Sequence, residues 1–308
     1  MNRRTLLFAL AARAPSVIRL HIGNYGMQTL TVDEALATIR RIGYDGAELC
    51  SMPGWPSEPK LLTAGDRRRI RESGFPIPTL IENFTLLASD AEHAATLDRI
   101  RTGAGLAHDL APKDPPILQT VLGGRPNEWP AAREKMATRL SEWGRAAEAS
   151  SIRLAVKAHA MQAVDTPEKL LWLLDKVGNP ALAAIYDYGH FQLRDLTIEE
   201  TMDRILTRSA FLTVKDSRLV GGKTQFLLPG DGSIDYTRYF QKVKQMGWRG
   251  WVLVEVTRQL QTAPGYDPVK AAERSYAHLA PILRAAGLRA DSPHTAAARC
   301  VALCSSVS

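Results

Sequence analysis

Between Arg153 and Asp187 the chain reads RLAVKAHAMQAVDTPEKLLWLLDKVGNPALAAIYD, and this run holds one complete strand–helix–strand unit. Arg153 to Lys157 is an apolar run of strand length, and Ala183 to Tyr186 is another. Between them, Asp165-Thr166-Pro167-Glu168 opens a helix, with an N-cap candidate directly before the proline. Leu170, Leu171, Leu174 and Val177 supply its apolar face, and Gly178 closes it. Lys157 and His159 lie two residues apart, so an extended chain turns both to one face.

The same grammar runs outward in both directions. The other strand candidates are Val17 to Ile22, Gly46 to Leu49, Ile77 to Ile81, Ile117 to Val121, Phe211 to Val214 and Val252 to Val256, which makes eight in all. Thr31 to Ile42 reads as a helix with Thr31 and Glu34 as a capping box and Gly43 as its stop. Helix starts recur at Thr197-Ile198-Glu199-Glu200 and at Ile234-Asp235-Tyr236. No Pro/Gly/Ser linker divides residues 17–287, and no glycine-rich dinucleotide turn follows the first strand. The expectation is a single α/β domain, a closed (β/α)8 TIM barrel, with its site at the C-terminal ends of the strands.

Composition sets the limits. With 308 residues, 45% hydrophobic and 23% charged, the chain can bury a large core. Its +7 formal charge is spread through helices, as at Arg40-Arg41 and Arg67-Arg68-Arg69, and is not gathered into a nucleic-acid-binding arm. Cys50, Cys300 and Cys304 make neither a zinc spacing nor an even disulfide framework. Residues 1–16 have paired arginines and a short apolar run, resembling an abbreviated twin-arginine export signal; the alternative is an N-terminal extension of a cytoplasmic protein. The location is therefore read as cytoplasmic, or periplasmic if that signal operates. Residues 288–308 read as a disordered tail, and no run is long enough for a membrane span.

Polar groups gather at the expected strand ends: His21 and Asn24, Glu48, Glu82 and Asn83, Gln119 and Thr120, Lys157 and His159, Asp187 and His190, Thr213, Lys215 and Asp216, and Glu255. Glu48 can equally brace backbone amides, and His21 can be a satisfied core histidine. Asp187 and Glu255 differ, because a carboxylate among apolar strand residues must have a cation or several donors beside it. Tyr25, Trp55, Phe84, Tyr188 and Phe191 could stack on a ligand or fill a core.

The ordered series GYDGAEL, YDYGH, TVKDS, LPGDGSIDY and VLVEV resembles the xylose-isomerase-like TIM-barrel superfamily, over about Val17 to Gly287. That superfamily contains sugar and sugar-phosphate isomerases and epimerases, inosose dehydratases and endonuclease IV. The resemblance implies one divalent ion (manganese, magnesium, zinc or cobalt) held by a glutamate on strand five, the aspartate of D-x-x-H on six, the histidine of H-x-K-D on seven and a glutamate on eight. Asp187 with His190, and Glu255, match; Lys157 and Thr213 stand where a glutamate and a histidine belong. A protonated lysine has no lone pair to give a metal. The expectation is therefore no metal, with the Lys157 ammonium near the metal's place and paired to Asp187 and Glu255; a rearranged metal set would be Asp187, Glu255 and His159.

The resemblance implies proton transfer beside the carbonyl of a sugar or sugar derivative. Lys157, Glu255 and Asp187 are the expected catalytic residues, with His190, His159, Lys215, Glu48 and Glu82 binding substrate and Lys215 taking an anionic oxygen. The alternatives are a barrel that only binds a sugar and, last, DNA repair, which would need several metal ions where the chain has Glu82, Gln119 and Thr213. Gly230 and Gly232 could cradle a phosphate or simply turn the chain, the turn being preferred. The expected partner is a small carbohydrate, with no nucleic acid and no membrane; homo-oligomerisation is left open.

Overall fold

The computed structural model describes residues 18–290. The export-signal reading for residues 1–16, most of the expected tail, and Cys300 and Cys304 lie outside the described residues. Eight parallel strands close into a barrel: β1 (Ile18–Gly23), β2 (Gly46–Cys50), β3 (Thr79–Ile81), β4 (Ile117–Thr120), β5 (Leu154–Lys157), β6 (Leu182–Asp187), β7 (Ser209–Val214) and, after a hairpin, β10 (Gly250–Val254), which pairs back to β1. The expected (β/α)8 barrel is the fold.

Helices start where the side chains can satisfy their first amides. Thr31 accepts from the Glu34 N–H and Glu34 returns the bond, and the same box recurs at Thr63 with Asp66 and at Ser89 with Glu92. Thr166 caps Pro167–Val177 and Thr197 caps Ile198–Ile205. Gly43 and Gly178 end their helices with φ of 110° and 63°, a left-handed conformation that favours glycine.

Three strands depart from expectation by two residues, β3, β10 and β7, the last starting at Ser209 rather than Phe211. β3 starts at Thr79 rather than Ile77, because Pro76 and Pro78 offer carbonyls but no amides: Pro76 accepts from Ala47 and Pro78 from Ile117. β10 starts two residues earlier than expected and ends at Val254, so Glu255 sits just past it, its N–H donating to the Val214 carbonyl at 3.1 Å. The sequence reading also missed an antiparallel hairpin, β8 (Asp216–Val220) and β9 (Lys223–Leu227), between β7 and the helix Tyr236–Gln245. Its signal was the Gly221-Gly222 pair, both at positive φ, a two-residue hairpin turn.

Strand faces alternate. Outward residues join the main core beneath the helices, whereas Ala155, Ala183, Ile185, Phe211 and Leu253 form a separate cluster inside the barrel. Two residues further along the same strands come Lys157, Asp187, Thr213 and Glu255. Inward orientation thus carries these four to the C-terminal mouth. At the other end the packed chain continues past Gly287: the Leu288 carbonyl accepts from Ile18 at 2.9 Å and Arg289 pairs with Asp45.

Candidate active site

A cavity of about 320 Å³ opens at the C-terminal mouth, with Tyr25, Glu82, Gln119, Lys157, His159 and Glu255 among the groups lining it. That size suits a small molecule. At its base the Lys157 ammonium lies 3.2 Å from Asp187 Oδ2 and also pairs with Glu255 Oε2. Lys215 pairs with the same two oxygens, touching Asp187 and lying 3.2 Å from Glu255. Two ammoniums and two carboxylates therefore form one buried array without net charge.

The expected Lys157 contacts are present, and the Lys215 contacts correct the sequence reading. Lys215 was expected to take a ligand's anionic oxygen, but its side chain is 0% exposed and its ammonium is held by protein carboxylates. Lys157 is 4% exposed and borders the cavity. An ammonium has three donors, so one donor of Lys157 remains beyond its two carboxylate contacts. Burial alone would lower the Lys157 pKa, but Glu255 and Asp187 outweigh it and hold the group as an ammonium, raised above its ordinary value. Burial would likewise raise Glu255, and the two lysines reverse that, leaving it well below the usual carboxylate range. Glu255 keeps its second oxygen outside these ion pairs and is 13% exposed at the cavity.

His159 and His190 are brought together, their ring centroids 3.9 Å apart. Burial, with Lys215 and Lys157 adding to it, lowers His159 to about 3; burial, Lys215, His159 and Lys157 hold His190 well below its ordinary value. Both are neutral imidazoles. The Met161 N–H donates to His159 Nδ1 at 3.3 Å, which leaves the ring proton on Nε2. His190 is fully buried, 3.6 Å from Asp187, with neither ring nitrogen hydrogen-bonded. Phe226 of β9 covers the pair, edge-on to His190 at 5.3 Å and to His159 at 6.0 Å, with Lys215 5.5 Å over its ring. Gln259 fastens this strand, accepting from the Phe226 amide and donating to the Thr224 carbonyl. Sequence reasoning assigned Phe226 and Gln259 no place at the site.

Glu48 and Glu82 stand apart from the array. Glu82 borders the cavity with its carboxylate on Arg99; burial raises its pKa and Arg99 opposes this. Glu48 is buried with Thr79 and Gln119 as donors. Of the aromatics, Tyr25 borders the cavity and stacks on Trp55, whereas Phe84 packs on Trp143 and Phe191 on Tyr186. Gly230 and Gly232 do not present a free anion cradle. Asp216 already accepts from the amides of Gly230, at 2.6 Å, and Ile234, at 3.0 Å. A Cβ on Gly232 would meet the Asp216 side chain at 2.7 Å, so close approach requires glycine there.

The sequence matches the xylose isomerase-like TIM barrel family over residues 36–282. The chain belongs to that family. An inosose dehydratase of Geobacillus kaustophilus is 28% identical over 130 residues, covering 37% of this chain and 42% of the relative. The chain thus matches about two-fifths of the length of this curated relative. Among solved structures of the family's fold, the IOLI protein with a bound zinc atom superposes with a TM-score of 0.71 at 17% identity, covering 86% of this chain and 98% of its own. An L-ribulose 3-epimerase gives 0.67 at 15% identity, covering 87% and 95%.

The ligand positions that the family resemblance implies do not suit a divalent cation here. Both carboxylates already carry ammonium partners, Lys157 offers no lone pair, and Thr213 is a buried hydroxyl without a hydrogen-bond partner. The rearranged set of Asp187, Glu255 and His159 is not assembled either: among the described residues no three His, Cys, Asp or Glu side chains are grouped to hold a metal ion. No described helix is long and apolar enough to cross a membrane.

Proposed function

We propose that this protein is an isomerase or epimerase of a sugar derivative, moving a proton beside a carbonyl with the Lys157 ammonium in the place of a metal ion. One observation carries the reading: Lys157 sits at the cavity wall, paired to both remaining carboxylates of the implied metal set, with a donor to spare. The similarity to an inosose dehydratase and the shared fold with a sugar epimerase support this chemistry.

Lys157 donates to the substrate carbonyl and stabilises the negative oxygen that develops as the neighbouring C–H proton leaves. Glu255 accepts that proton on its free oxygen. It is a weak base while both lysines hold it, and its basicity rises as Lys157 turns toward the substrate oxygen. The two events reinforce each other. Return of the proton from Glu255 to the adjoining carbon gives an isomer, whereas an epimer requires a proton delivered to the opposite face by another donor while Glu255 yields the first to solvent. Loss of a neighbouring hydroxyl would instead give a dehydrated product. His159 Nε2–H is a neutral donor for a substrate hydroxyl.

A second reading, a barrel that binds a sugar without turning it over, is favoured by the completeness of the charge array. Deuterium exchange separates the two. Ketoses, inososes and keto-sugars, free and phosphorylated, are incubated with the protein in D2O, and label beside the carbonyl is followed by NMR. Exchange that disappears in Lys157→Met and Glu255→Gln supports the enzyme. Calorimetric binding of a sugar without exchange makes it a binding barrel.

A further inference from the structure

A second buried polar line crosses the barrel from β1 to β4, through His21, Thr79, Glu48 and Gln119, each at most 2% exposed. His21 Nδ1 lies 3.1 Å from the Val252 carbonyl, which can only accept, so Nδ1 carries a hydrogen. His21 Nε2 lies 3.1 Å from Thr79 Oγ1, and Thr79 Oγ1 lies 2.9 Å from Glu48 Oε2. Gln119 Nε2 donates to the same Glu48 oxygen.

The protons along this line can be counted. With His21 neutral and Glu48 ionised, two acceptors face the single hydroxyl hydrogen of Thr79, and one bond cannot form. A buried acceptor left without a donor is destabilising. One added proton completes the line in either of two ways: Glu48 donates to Thr79 and Thr79 to the bare Nε2 of His21, or a His21 imidazolium donates to Thr79 and Thr79 to Glu48, and the first leaves no charge buried in the line. We propose that His21, Thr79 and Glu48 share one proton, carried by Glu48 as a neutral carboxylic acid, and that Glu48 thereby acts as a positioning residue for Gln119 at the cavity wall.

The surroundings agree. Burial pushes Glu48 up to about 7 against the pull of Gln119 and Thr79, with Glu255 raising it and Lys157 lowering it. Burial lowers His21 to about 3, against the Val252 bond and with Arg19 assisting. Cys50, next along β2, stays a thiol because burial raises its pKa. Phe211 and Trp251 close on His21 edge-on and supply no charge. With its nitrogen fixed by Glu48, the amide of Gln119 has its oxygen left for a hydroxyl donor in the cavity that it lines.

Proton linkage gives a test that needs no substrate. The unfolded chain titrates Glu48 near 4.5 and His21 near 6.5, so between those values it holds one proton on this pair. The folded line also holds one, and its contribution to stability is flat across that window. Raised Glu48 loses its contribution as pH rises through its folded value, and lowered His21 loses its own as pH falls below 6.5. Glu48→Gln can still donate to Thr79 from its amide nitrogen, which cannot accept from Gln119, and it holds no proton when folded. The ratio of its unfolding constant to that of the unaltered protein should then fall by nearly tenfold per pH unit between about pH 5 and pH 6.5. A pH-independent ratio would mean an ionised Glu48 and overturn the proposal. Should Glu48→Gln not fold, 15N NMR of the unaltered protein decides: a neutral His21 with a bare Nε2, together with a protonated-carboxyl infrared band, supports the assignment. A His21 imidazolium, or an ionised Glu48, overturns it.

Discussion

Glu48 lies buried inside the barrel and Glu255 largely buried at its mouth, yet their acidities move in opposite directions. Burial raises Glu48 to about 7, while two lysines draw Glu255 well below the carboxylate range despite its burial. The polar groups that touch Glu48, Thr79 and Gln119, are neutral, whereas two ammoniums touch Glu255. Burial thus sets no fixed direction for a carboxylate. The charge of its nearest donors does, because a neutral donor recovers only part of the hydration that an ammonium replaces.

The most damaging way to break the contrast is to take a cation from the charged side. Lys157→Met leaves two carboxylates to Lys215 alone and should cost about 3–5 kcal/mol in urea denaturation. Adding Glu255→Met should recover most of that loss, since a paired deletion leaves no buried charge behind. A single substitution without effect would show that the array holds nothing together. Reversing the charge instead of removing it tests what the array replaced: Lys157→Glu should take up about one equivalent of zinc or manganese by mass spectrometry, with the unaltered protein taking none.

Acid sharpens the contrast further. Glu255 is lowered when folded, so its contribution is present above the unfolded value of 4.5 and is lost as pH falls below it. Glu255→Gln should flatten the decline in stability below pH 4.5, measured by denaturation at each pH. The smallest effect belongs to Asp216, whose partners are backbone amides: Asp216→Asn should cost about 1–2 kcal/mol in the same measurement.

Much of this was legible in the sequence. Eight apolar runs with capped helices between them led to a closed barrel, and the family resemblance, with the need of buried carboxylates for a cation, put Lys157 with Asp187 and Glu255. Lys215 was harder to read, because it follows β7 at a bend whose direction no period sets. Phe226 was invisible for a related reason: the hairpin Asp216–Leu227 folds back over the mouth, and only Gly221-Gly222 announces its turn. The His21–Thr79–Glu48 line joins residues 58 and 31 positions apart, and a threonine in a strand carries no signal of what it bridges.

The bend after β7 gives the two lysines unequal freedom. Lys215 sits where the barrel strand becomes the hairpin, enclosed and beneath Phe226, so its cation is anchored by the chain on either side. Lys157 ends its strand at the open wall of the cavity. When Lys157 swings toward an incoming oxygen, the stationary cation still contacts both carboxylates and keeps them in place beside the guest.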